Sequence, residues 1–172
     1  MSEPFIDTRA ARFLDYLRRN YSHDRGALAR LRGGLSAARK PNVWPLLGAF
    51  PNAIGNEAFE TVAALWADDS DANDGGGNLG ASLQMVSADL SSFEGRFKRL
   101  LTCDRNEIAS RVASLVRAAQ AKGARIHYAR LLSDLLHWND RTRIEWAKAY
   151  WSAEEPPTAD LDADLSAGDP AP

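Results

Sequence analysis

At 172 residues the chain is long enough for one compact core, or two small helical lobes sharing one, and too short for several independent domains. Its 45 % hydrophobic and 26 % charged content is that of a globular protein, and no run of about 18 apolar residues offers a membrane span. The net charge of −2 conceals a segregation: residues 152–172 hold six acids and no base, so residues 1–151 carry 21 Lys or Arg against 17 acids, a balance of +4.

The opening MSEPFIDTRAAR lacks the apolar stretch of a secretory signal, which points to a cytoplasmic address. A single cysteine, Cys103, forms no bridge within the chain and fits a reducing compartment.

In chain order, Asp7 to Tyr21 predicts a first helix capped by Asp7, with Phe13, Leu14, Leu17 and Tyr21 on one stripe. Asp24 to Arg32 predicts a short second helix, stopped by a left-handed turn at Gly33 and Gly34. Arg25, Arg30, Arg32, Arg39 and Lys40 follow one another with no acid between them, an imbalance that an ordinary solvated face lacks. Pro41 reads as a helix breaker, and VWPLLGAFP as an apolar turn plugging the core.

Asn56 to Ala67 predicts a third helix with Phe59, Val62, Ala63 and Trp66 inward. The stretch 68–78, with four acids and three consecutive glycines, reads as a mobile surface loop. A calcium loop is disfavoured because no glutamate stands at its twelfth position.

Leu79 to Ala88 predicts a short helix. Ser91 with Glu94 reads as a capping box opening a helix with Phe93, Phe97, Leu100 and Leu101 inward. Asp104 with Glu107 reads as another, before a helix running to Lys122 and closed by Gly123. His127 to Trp138 predicts the next helix, with Arg130 and His137 together on its outer face, and Asp140 caps the last one.

No strand-like alternation appears, so the expected fold is all-α, eight or nine short helices in two lobes. The lobes are expected at 1–90 and 91–152, followed by an acidic, Pro- and Ala-rich tail over 153–172 that reads as disordered.

The stretch Arg96 to Trp151 carries twelve Lys or Arg against five acids, a balance of +7, and points to a phosphate backbone as partner. Its arginines scatter around the helical wheel, so a groove shared between helices fits better than one gripping helix.

Nothing argues for catalysis. His23, His127 and His137 lack metal-ligand spacing, and Asp104, Glu107 and Asp140 are accounted for as caps. The glycines at 75–77 are not followed by the Lys and Ser or Thr of a phosphate loop. Cys103, placed before a helix N-terminus that lowers a thiol pKa, reads on balance as a small hydrophobe. Four of the five tryptophans read as core, and Trp151 as a surface contact.

YARLLSDLLHW (Tyr128 to Trp138) and IEWAKAYW (Ile144 to Trp151) resemble the C-terminal signature of the CasB family, the small subunit of the type I-E Cascade complex of CRISPR defence. FKRLLTCDRNEI (Phe97 to Ile108), and RGALARLRGG with VWPLL between Arg25 and Leu47, resemble further family stretches in the same order. The resemblance implies an all-helical protein without enzymatic activity or cofactor, present as two copies in a crRNA-guided complex. It implies contact with other Cascade subunits, crRNA and target DNA, and a hold on the R-loop, chiefly its displaced non-target strand.

By position, Arg30 and Arg32, Lys98 and Arg99, and Arg130 and Arg143 match the family's basic residues. Gly33 and His137 stand where the family carries further basic residues. With Arg25, Arg39, Lys40, Arg105, Arg125 and Arg141, these matched residues form the expected nucleic-acid-binding set. The competing reading is a helical adaptor whose basic face meets an acidic protein.

Overall fold

The computed structural model describes residues 5–72, 74–89 and 92–152, and the fold among them is all-α. Nine α-helices run in order: α1 Thr8–Tyr21, α2 Arg25–Arg32, α3 Lys40–Leu47, α4 Glu57–Ala67, α5 Leu79–Val86, α6 Ser92–Leu101, α7 Ile108–Ala121, α8 Tyr128–Leu136 and α9 Asp140–Trp151. Short 3₁₀ turns follow α2 and α5. No helix among the described residues is long and apolar enough to cross a membrane. The tail at 153–172 and Ser91 of the first expected capping box lie outside the described residues.

The centre is α4. Its sequence AFETVAALWA is apolar on nearly every side, and every residue from Ala58 to Ala67 is buried, as befits a helix surrounded by others. Helices α2, α7 and α8 pack around it, α1 lies on α8, α6 on α7 and α5 on α9. One hydrophobic cluster therefore runs from Ala10 on α1 to Tyr150 on α9, across the expected lobe boundary at residue 90.

Several local expectations need correcting. Gly33 and Gly34 do not form a left-handed stop; Gly33 has φ −70 and opens a 3₁₀ turn. A side chain at 34 would be tight, since a Cβ there would sit 3.3 Å from the Glu60 carbonyl oxygen. Pro41 does not break a helix but stands in the first turn of α3, where its missing N–H costs nothing. Trp44, expected inside the plug, is 37 % exposed and donates its indole N–H to Glu60 at 2.8 Å.

Asp104 and Glu107 form no capping box, since no side-chain cap bond opens α7, and its first turns hang instead from the Asp104 carbonyl oxygen. His127 and Asn139, rather than Asp140, cap α8 and α9 with side-chain acceptors.

The described residues of the acid-rich stretch 68–78 form no helix or strand, as expected of a loop, but their acids have partners. Asp68 pairs with Arg32 and accepts from Arg117, Asp69 accepts from Tyr128, and Asp74 from Arg18 at 2.7 Å. The Gly75 N–H donates to the Ile126 carbonyl oxygen at 3.3 Å. Glycine at 75 permits this approach, because a Cβ would overlap the Arg125 carbonyl. Opposite charges from α1, α2 and α7 supply contacts that composition alone does not reveal.

A second close approach joins α5 to α9, where Gly80 lies directly against the Trp146 backbone. Gly80→Ala is expected to force the two helices apart and lower unfolding stability by about 1–3 kcal/mol, measured by urea denaturation. The surface variant Gly95→Ala, whose Cβ would meet nothing, is the control and should lose no stability.

Candidate nucleic-acid interface

The basic side chains divide by what already holds them. Arg130 is the plainest departure from expectation: it is not on an outer face but buried, 6 % exposed, between α8 and α9. Its Nε donates to Asp134 at 3.0 Å and its Nη2 to Glu145 at 3.3 Å, while the Trp146 indole N–H donates to Asp134 at 2.7 Å. Burial holds the Asp134 carboxyl above its ordinary range, against the opposing pull of Trp146 and Arg130.

His137, the expected neighbour of Arg130, instead meets Asp7 at 2.8 Å. That bond, with Arg9 beside it, holds the Asp7 carboxyl below its ordinary range and fastens the start of α1 to the end of α8. The outer face that a wheel assigns to Arg130 is thus covered by α9.

Six further members of the expected set are engaged. Lys40 pairs with Glu60, a carboxylate 2 % exposed that also accepts from the Trp44 indole and the Gly55 N–H. Arg32 bonds the Ala67 carbonyl oxygen and pairs with Asp68. Lys98 pairs with Glu94, and Arg141 with Glu145. Arg143 pairs with Asp140, donates to the Cys103 carbonyl oxygen at 2.8 Å and lies over the Trp138 ring. Arg105 donates to the Leu136 carbonyl oxygen but remains exposed.

Arg25, Arg30, Arg39, Arg99 and Arg125 remain, all exposed, with no carboxylate of the described residues within ion-pair distance. Arg30 stands on α2, beside α3 and α4, whereas Arg99 stands on α6, beside α7. Arg130, being internal, joins neither of them on the surface.

A group of arginines without ion-pair partners among the described residues lies between α6 and α7. Arg96, Arg99 and Arg111 line one concavity of about 350 Å³ with Leu100, Cys103, Ser114 and Leu115. Arg96 reaches toward the Ser114 hydroxyl at 3.5 Å and lies 5.9 Å from the Phe93 ring centre, and Arg99 donates to the Gly95 carbonyl oxygen. No carboxylate of the described residues lines this concavity.

Three guanidinium groups over an apolar floor suit an oxyanion chain with no base-reading requirement. Burial pushes the Cys103 thiol up, with Glu107 adding to the effect, opposite in sign to the lowering expected before a helix N-terminus. Among the described residues, no group of three His, Cys, Asp or Glu could hold a metal ion.

The family model described as CRISPR-associated protein Cse2 matches residues 24–151. The chain belongs to the Cse2 family. A CRISPR-associated protein Cse2 of Thermus thermophilus is 34 % identical over 154 residues, covering 83 % of this chain and 89 % of that one. The crystal structure of CasB from Thermus thermophilus superposes with a TM-score of 0.67 at 32 % identity, over 84 % of this chain and 98 % of that one. A chain of a CRISPR RNA-guided surveillance complex shares the fold with a TM-score of 0.68 at 21 % identity, over 83 % and 91 % of the two chains.

In this Cse2 chain the matched region runs from the α2 cap to the end of α9. Arg96 and Arg111, absent from the expected set, join Arg99 only because α6 packs on α7. A local signal existed for Arg96 and Arg99: neither has an acid three or four residues away, whereas Lys98, Arg130, Arg141 and Arg143 each do, and each pairs with it.

Proposed function

We propose that this chain is the non-catalytic small subunit of a crRNA-guided type I-E Cascade complex. In this reading it is present as two copies beside other Cascade subunits. It holds nucleic-acid backbone without sequence preference and steadies the R-loop, chiefly the displaced non-target strand. Membership of the Cse2 family supports the assembly, and the observation that carries the binding is the α6–α7 concavity, with Arg96, Arg99 and Arg111 and no lining carboxylate among the described residues.

The energetics are suited to such a part. Exchanging a DNA duplex for a guide–target heteroduplex is nearly balanced, so modest backbone contacts tip it. Arg25, Arg30, Arg39 and Arg125, exposed and without carboxylate partners among the described residues, extend the proposed contact set beyond the concavity. Arg130 and Lys40 leave it, being spent on the buried carboxylates of Asp134 and Glu60, and so does Arg143, held by Asp140 and the Cys103 carbonyl oxygen.

Fluorescence anisotropy with two single-stranded DNA 30-mers of unrelated sequence tests the reading. Both should bind with similar affinity, and log K should fall against log salt with a slope of about −2 from the three concavity contacts, and more steeply as Arg25, Arg30, Arg39 and Arg125 add theirs. No binding at micromolar protein in low salt would overturn the reading and favour the adaptor, whose basic face meets an acidic protein.

A further inference from the structure

We infer that the acidic segment 153–172 docks on the arginine face of α6 and competes there with nucleic acid; the inference rests on the proposed reading of that face. The argument begins where α9 ends. The Trp151 ring packs on Phe97 of α6 with centroids 5.3 Å apart and the planes tilted by 45°. The chain therefore leaves α9 against the flank of α6, not at a distance from it.

On α6 the residues around Phe97 fall on two sides at about 100° per residue. Glu94 and Lys98 lie on the side of Trp151, and Arg96 and Arg99 on the side of α7. Between Lys98 and Arg99 the outer surface of the helix is formed by Gly95, where an added Cβ would meet nothing within 4 Å. This is an open path across the helix.

A helix is about 10–12 Å across, and extended chain covers about 3.3–3.6 Å per residue. Three to four residues beyond Trp151 thus suffice to cross α6, and the third and fourth are Glu154 and Glu155. Asp160, Asp162, Asp164 and Asp169 follow, with no base anywhere in 153–172. Lys98 is neutralised by Glu94, so the uncompensated charge that this segment meets is that of Arg96, Arg99 and Arg111.

Tethering at Trp151 gives these carboxylates an effective concentration on the millimolar scale. Each contact remains solvent-screened and individually weak. The segment then acts as a reversible cover that a polyanion of higher charge density displaces, raising the threshold for weak, non-specific binding.

The test compares the full chain with a full-length variant carrying Glu154→Gln, Glu155→Gln, Asp160→Asn, Asp162→Asn, Asp164→Asn and Asp169→Asn. Amide NMR spectra need no nucleic acid. Resonances around Arg96, Arg99 and Arg111 should differ between the two proteins at low salt and converge as salt rises. In anisotropy with a single-stranded oligothymidine 30-mer, the neutralised variant should bind roughly five- to tenfold tighter at low salt, with the advantage gone at high salt.

Coincident spectra at low salt would overturn the docking whatever the oligonucleotide does. Differing spectra with equal oligonucleotide affinities would overturn the competition. Failure of both proteins to bind the oligonucleotide, with spectra that differ as expected, would sink the nucleic-acid reading while leaving the docking intact.

Discussion

Replacing Arg130 by alanine is expected to cost about 3–5 kcal/mol of unfolding stability, while leaving the oligonucleotide affinity of the folded fraction within about twofold. The side chain is 8 % exposed, pairs with Asp134 and Glu145, and holds the α8–α9 seam from inside. Removing it strands the Asp134 carboxylate in a buried site whose one remaining donor is the Trp146 indole.

The pH dependence gives this prediction a second handle. The folded-state pKa of Asp134 is already raised above 3.8 by burial. A carboxyl so raised contributes stability that is full below its ordinary pKa and is lost as pH rises through the folded value. Without Arg130 that value climbs further, so the deficit of the variant is largest at neutral pH. It narrows as pH falls toward 4 and Asp134 takes up a proton. Urea unfolding at pH 7 and pH 4.5 measures both, and a deficit independent of pH would show that Arg130 acts through packing alone.

The double variant Arg99→Ala, Arg111→Ala should behave oppositely. Both side chains are exposed and pair with no carboxylate of the described residues, so the unfolding midpoint should stay within about 0.5 kcal/mol of the parent. Affinity for single-stranded DNA should fall roughly tenfold or more in low salt, two charge-assisted contacts being lost. Lys98→Ala and Arg141→Ala are the matched comparison. They remove the same kind of exposed charge, but Glu94 and Glu145 already offset it, and each should cost less than about threefold.

The contrast between these variants also shows what could be read without coordinates. The stripes of α1 and α7, the Asp7 and Asp24 caps and the Gly123 stop, with φ +82, are local features, and a helix period with its end signals reveals them. The fate of Arg130 was half legible. Its acid four residues on, Asp134, is in the sequence, but Glu145 and Trp146 come from another helix, and their arrival turns an expected outer face into a seam.

The loop at 68–78 was legible as a loop, but its ion pairs were not, since its acids find arginines 36 to 56 residues earlier and 49 residues later. Local pattern predicts which residues are charged, whereas packing decides which charges are spent. Arg96, Arg99 and Arg111 illustrate what that process leaves: they stand on two helices, and packing brings them together where α6 meets α7.

The salt dependence of single-stranded DNA binding, compared between the parent chain and the Arg99→Ala, Arg111→Ala variant, tests the account most directly. If these guanidinium groups meet phosphates, the log–log slope of the variant should be shallower by about 1.4, two contacts at roughly 0.7 each, with unfolding unchanged. Parallel lines of equal affinity would contradict the account and remove the α6–α7 concavity from the binding surface.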